Sequence, residues 1–236
     1  MKSLLLLFIM SAMIFASIGN VAALKGVVKI KRSTKMITAK YGLAIEEKDT
    51  IVTQDNSKVQ IILKDQTIVT IGENSKYNFN EYKFNSKTDS KAKMKLEHGF
   101  FRVITGKIGK IAPERFKVQT KSATIGIRGT NFFAWVGPKR EEIGCIKGKI
   151  SILTNKMGRF SLARGQMASL QDNHTWRKKP ISRAYRKKLQ LPAKRQVGKS
   201  SSGQVQQSVL MQESHRTPPP PKTPTAPVLP PDCLPK

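Results

Sequence analysis

Arg128 stands between Gly126 and Gly129 in the run from Thr120 to Phe132. Glycines on both sides let the backbone turn tightly or pack closely there. A guanidinium also offers five fixed donors that tie several carbonyls or a carboxylate together. The pattern favours a structural clamp over ligand capture, with Asp49 and Asp65 as candidate partners between which the sequence does not choose. Other reactive groups are sparse. Glu46 and Glu47, and Glu141 and Glu142, are adjacent acids; neighbours in a strand point to opposite faces, so neither pair works as two carboxylates on one substrate. His98, His174 and His215 are scattered, and two cysteines cannot build a four-thiolate zinc site. No glycine-rich phosphate loop, nucleophile elbow or metal-spaced histidine pair occurs. We therefore expect no enzyme, metal or cofactor.

The second chemical resource is positive charge. The 236 residues hold 43 Lys+Arg against 15 Asp+Glu, a formal net charge of +28. Both parts of the chain share it: residues 24–172 carry 29 basic and 13 acidic residues, and residues 173–236 carry 13 and two. A cluster of candidate binding residues comprises Arg177, Lys178, Lys179, Arg183, Arg186, Lys187 and Lys188. In a cytoplasmic protein such a balance points first to nucleic acid, because phosphate neutralisation supplies most non-specific affinity.

The N-terminus changes that expectation. Lys2 supplies a short positive region, residues 4–15 an apolar run, and Val21-Ala22-Ala23 the small residues of a cleavage site, so residues 1–23 read as a signal peptide. The apolar run is short for a membrane span, which needs about 18 residues or more. We expect a periplasmic or secreted protein whose partners are an envelope protein or an anionic envelope polymer such as lipopolysaccharide, anionic lipid or cell wall. Nucleic acid is not expected, and peripheral membrane contact is compatible with the charge. Excess lysine also serves solubility alone.

The elements that must position these groups are strands. From residue 24 to about 171 apolar residues alternate, as in Val28/Ile30, Val59/Ile61/Leu63, Phe116/Val118 and Ile150/Ile152. Gly26, Gly99 and Gly148 each open a similar alternating run, at unequal spacings that exclude a fixed-period array. The expected fold is all-β, with many short strands as stacked hairpins in a β-solenoid-like or sandwich arrangement. Tyr77/Phe79 and Tyr82/Phe84 alternate with a phase change at Asn80-Glu81, predicting a bulge. Such aromatics serve a core more often than a sugar-stacking platform. Cys145 falls in a predicted strand and Cys233 in the C-terminal tail; a disulfide between them and a buried free Cys145 both stand as readings.

Composition shifts near Asp172, giving a β domain over 24–172 and a basic, largely disordered linker over 173–216. Within the linker, Ile181, Tyr185 and Leu189 recur at four-residue spacing after Pro180, which predicts a short helix ended by Pro192. Residues 217–236 hold nine prolines and read as a disordered polyproline II tail reaching about 60 Å.

One block of sequence is more specific. The alternating strand Thr120-Lys121-Ser122-Ala123-Thr124-Ile125-Gly126-Ile127 leading into Arg128-Gly129-Thr130-Asn131-Phe132 resembles the signature of FecR-like domains. Upstream, Gly42, residues 49–53 and residues 61–65 look like that family's opening strands; downstream, Gly148 and Gly165-Gln166 look like its closing ones. The resemblance covers about residues 24–170 and makes Arg128, Gly129 and Thr130 its structural signature. It implies a periplasmic β-rich interaction domain without catalytic residues. The membrane helix and cytoplasmic anti-sigma segment of the family's sensor proteins are not read here, so control of transcription is not carried over. One position departs: Asp65-Gln66-Thr67 stands where the family commonly has Asp-Gly, and Gln tolerates a left-handed turn poorly.

Overall fold

The computed structural model describes residues 17–170, 175–182, 185 and 189. The chain forms β1 (Ser17–Lys25), β2 (Val28–Arg32), β3 (Lys35–Thr38), β4 (Ala44–Glu46), β5 (Thr50–Thr53), β6 (Lys58–Leu63), β7 (Ile68–Ile71) and β8 (Ser75–Lys83). There follow β9 (Lys91–Ile104), a one-turn helix α1 (Ile108–Ile111), β10 (Phe116–Gln119), β11 (Ala123–Val136), β12 (Glu141–Thr154), β13 (Gly158–Ala163), β14 (Gln166–Leu170) and β15 (Trp176–Pro180). The all-β expectation holds. The alternating pairs named above all point their apolar members inward: Val28, Ile30, Val59, Ile61, Leu63, Phe116, Val118, Ile150 and Ile152 are buried.

All 15 strands belong to one hydrogen-bonded sheet. The sheet folds over itself because its three longest strands change partners halfway. Residues 91–98 of β9 pair with β8, whereas residues 99–104 pair with β11. In β11, residues 124–126 pair with β10 and residues 131–136 with β9. In β12, residues 141–144 pair with β14 and residues 149–154 with β13. At each change the backbone turns through a glycine of positive φ: Gly99 at 94°, Gly129 at 58° and Gly148 at 82°. An L side chain meets its own backbone in that region, so glycine is the residue that makes a corner cheaply. Bulges and bends of this kind carry strands from one sheet layer to the next. The recurring glycines at 99 and 148 thus mark corners within long strands, where a turn before a strand was expected.

Two walls result around one core. One runs β4-β1-β6-β7 and on through the distal half of β9; the other runs β3-β2-β5-β8 and on through its proximal half. Tyr77 on β8 and Phe101 beyond the β9 corner meet at 5.4 Å between ring centroids, and Phe101 meets Phe132 at 5.7 Å. The arrangement is a sandwich of shared strands. The sole parallel pair among the described strands, β9 with β10, needs a crossover, which α1 and the 3-10 turn Pro113–Arg115 supply. The predicted bulge lies between Phe79 and Glu81, and Tyr77, Phe79 and Tyr82 fill the core.

Ordered strands extend beyond both expected boundaries of the β domain. β1 crosses the expected cleavage point after Ala23, pairing Gly19 with Leu63 and Lys25 with Lys58, and it buries Ile18 and Val21. At the other end, β15 continues past Asp172 and pairs with β14 from Leu170↔Trp176 to Gln166↔Pro180. The backbone is helical at Tyr185 and Leu189, in line with the predicted helix. Ile181, Tyr185 and Leu189 pack on Phe133 and Met167 in a second apolar cluster. This part of the expected linker is therefore folded onto the domain; the proline-rich tail lies outside the described residues.

Candidate functional site

The Arg128-Gly129-Thr130 block forms the corner of β11. Register passes from Arg128↔Lys149 to Asn131↔Lys147, so two residues stand opposite Gly148 alone. A Cβ on Gly148 would lie 2.4 Å from the Gly129 carbonyl, which explains the glycine on β12, whereas Gly129 faces open space and is set by its positive φ. Thr130 closes the corner: its N–H donates to Thr105 Oγ1 at 2.9 Å, and its carbonyl accepts from the Thr105 N–H at 3.0 Å.

Arg128 is not the clamp its sequence context predicts. It is exposed and makes no hydrogen bond or ion pair with another described residue. Both candidate partners are engaged elsewhere. Asp49 receives a two-pronged contact from Arg32, Nε to Oδ1 at 2.9 Å and Nη2 to Oδ2 at 2.7 Å, and the same guanidinium reaches Glu46 Oε1 at 2.5 Å. Planar bidentate geometry is what arginine provides and lysine cannot. Asp49, hydrogen-bonded to it, raises the Arg32 pKa further. The adjoining cleft of about 640 Å³ also contains Lys76 and Glu97, paired at 2.7 Å.

Asp65 is fully buried and organises a polar hub. It accepts from Thr67 Oγ1 at 2.7 Å, from the Tyr82 hydroxyl at 3.1 Å and from the Ile108 N–H at 3.2 Å. Gln66 beside it adopts φ 68°, so the turn keeps the left-handed form despite lacking glycine. The three Asp65 contacts hold the conformation that Gln itself disfavours. Glu141 contrasts with this: it is buried, accepts the Ser122 N–H at 3.2 Å on Oε2, and leaves Oε1 without a partner among the described residues. Burial pushes its pKa up.

Of the seven candidate binding residues, Arg177, Lys178 and Lys179 lie exposed on β15. Strand alternation splits them: Lys179 Nζ approaches Glu142 Oε1 at 3.4 Å, and Lys178 Nζ sits 5.4 Å from the Phe160 ring centroid. They do not form one patch there. Arg183, Arg186, Lys187 and Lys188 lie outside the described residues. Cys145 is a buried free thiol donating to the Gly148 carbonyl at 3.3 Å, and Cys233 lies outside the described residues.

A basic face that the sequence reading passed over does form. On the wall made by proximal β9, β10, proximal β11, distal β12 and β13, one row reads Lys93, Lys117, Gly126, Ser151, Ser161. The neighbouring row reads Lys95, Gln119, Thr124, Leu153, Arg159, and on the other side Arg128 lies opposite Lys149. The intervening rows, including Met94, Val118, Ile125 and Ile152, are buried core. The sequence signal was the two-residue spacing of Lys91, Lys93 and Lys95, which puts them on one side of a strand.

Three comparisons with known proteins bear on this architecture. Residues 49–151 match the family model described as FecR protein. Two crystal structures of a putative anti-sigma factor from Parabacteroides distasonis, at 1.65 Å and 2.50 Å resolution, are similar at 15% identity and a TM-score of 0.46. Those alignments cover 56% of this chain and 59% of that one. A comparison with curated proteins found no match.

Proposed function

We propose that this chain, whose residues 49–151 match the FecR family model, is an exported, non-enzymatic interaction module that binds another protein of the cell envelope in sensing or scaffolding. The domain assignment supports a signalling or envelope-sensing role. The observation that carries the binding mode is the open edge of β13. Among the described strands β13 pairs with β12 and no other, so one side of a six-residue strand is left without a strand partner; at its end the Ala163 N–H donates to Gln166 Oε1 at 2.8 Å. An extended segment of a partner adds to such an edge by main-chain hydrogen bonds. Other open edges are less suited. β3 and β4 have four and three residues. β15 carries Arg177, Lys178, Lys179 and Pro180, the residue types that blunt an edge.

The non-enzymatic reading is supported by what the buried polar groups do: Asp49, Asp65 and Thr130 hold turns and corners. No helix among the described residues is long and apolar enough to cross a membrane. Cross-linking in intact cells followed by affinity capture tests the reading. A discrete protein partner in the envelope fraction is expected; recovery of the chain in the cytoplasm without such a partner would refute it.

A further inference from the structure

The geometry points to the basic wall as a docking surface for an anionic lipid headgroup layer, a second surface on the sheet face that ends at the protein-binding edge and shares β13 with it. Its five cations Lys95, Lys117, Arg128, Lys149 and Arg159 are exposed, and none of them forms an ion pair with a described residue. Elsewhere in the same domain lysines are neutralised locally, Lys76 by Glu97, Lys83 by Asp89 and Lys91 by Glu81; within the wall only Lys93, at its rim, has such a partner, again Glu81. Residues 100–170 contain 14 basic and three acidic residues. Of the three acids, Glu141 and Glu142 are buried and Glu114 lies 3.8 Å from Arg115, so no carboxylate of that segment pairs with this wall.

The arrangement also works against the stability of the sheet. Arg128 and Lys149 are direct cross-strand partners; Lys117 also stands opposite Lys93, whose charge Glu81 offsets. Like charges placed opposite one another destabilise a strand pair. Local rules broken without compensation mark functional positions, and here an anionic layer supplies the compensation. Five strands at about 4.8 Å spacing make a face about 19 Å wide. Gly126 and the small Ser151 keep its middle low, and exposed Leu153 adds an apolar contact. No aromatic residue stands in the outward rows, which removes the stacking platform that single-stranded nucleic acid uses.

Co-sedimentation of the full chain with vesicles of equal parts phosphatidylglycerol and phosphatidylcholine tests this. Binding is expected to the mixed vesicles and not to pure phosphatidylcholine, and to weaken as salt shortens the Debye length below about 10 Å. Each lysine or arginine near an anionic surface is worth about fivefold in binding. The variant K117E/R128E/K149E should therefore lose about a hundredfold or more. The equally charged control K29E/K40E/K64E, altered away from this wall, should stay within about threefold. Lys149→Glu alone guards against misfolding of the triple variant: it turns a repulsive pair with Arg128 into an attractive one, so it should raise the melting temperature while weakening vesicle binding. Equal losses in the triple variant and its control would overturn the proposal in favour of net charge. Unchanged binding by Lys149→Glu, or release from vesicles by a stoichiometric duplex oligonucleotide, would overturn it as well.

Discussion

Thr105 and Thr130 hold each other across the corner of the sandwich. The Thr105 hydroxyl accepts the Thr130 N–H at 2.9 Å and donates to the Thr130 carbonyl at 3.1 Å, while the Thr105 N–H reaches the same carbonyl at 3.0 Å. This pair joins the end of β9 to the bulge of β11, and it does the work that Arg128 was expected to do.

Thr105→Val keeps the shape and removes the hydroxyl, leaving the Thr130 N–H unsatisfied in a largely buried site. A loss of about 1 to 3 kcal/mol in urea unfolding is expected. Arg128→Ala should change stability by no more than about 0.5 kcal/mol, as an exposed side chain without a partner. The reverse ranking would restore the clamp.

Glu141 sets a pH dependence whose sign follows from burial. Its pKa is raised above the ordinary 4.5, so the folded state holds a proton that the unfolded state releases. Its stabilising contribution is complete below about pH 4.5 and is lost as pH rises through the higher folded value. Glu141→Gln should therefore show a stability advantage over the parent that grows as pH rises above about 4.5 and levels off beyond the raised folded value, in paired urea titrations. Glu81, held down to about 2 by Lys91 and Lys93, acts oppositely: its contribution is present above 4.5 and fades as pH falls toward 2. The ion pairs lie at the surface, with the Glu81 side chain 35% exposed, so added salt should weaken the effect of Glu81→Gln.

The alternating apolar pairs made the strands legible, and the Ile181, Tyr185, Leu189 spacing made the helix legible, because both are local periodicities. The corners were not. Gly99 and Gly148 look like turn glycines in sequence, and only the pairing of each half-strand with a different neighbour shows that the chain runs on through them. The Arg32–Asp49 clamp was hidden because its partners are brought together by β2 and β5, which nothing local in the sequence pairs. The basic run beyond Asp172 concealed a folded segment, since charge dominates its composition while three apolar residues do the packing.

That segment makes a prediction about truncation. A chain ending at Asp172 exposes Phe133, which otherwise stacks on Tyr185 at 4.7 Å between ring centroids, together with Met167. It should bind a hydrophobic dye and melt lower than a chain ending at Gln196. Leu189→Ala in the full chain should cost about 2 to 3 kcal/mol. Equal melting of the two truncations would show that residues 173–196 add nothing to the domain.

At the other end, β1 constrains processing. Cleavage after Ala23 would split a strand whose Gly19 lies so close to β6 that a Cβ would meet the Ile62 carbonyl at 2.4 Å. The leader boundary is therefore proposed upstream of Ser17, and intact mass of the periplasmic protein should correspond to a chain that retains Ile18 and Val21. A mass beginning at Leu24, from protein that still melts cooperatively, would refute this.

The central claim is recognition of an envelope protein along β13. Its most direct test is a photo-cross-linking residue placed at Ser161, on that strand, and separately at exposed Lys40, in intact cells. The account predicts one protein adduct of defined mass from position 161, retained at moderate salt and missing from position 40. Adducts of the same mass from both positions, or from neither, would contradict it.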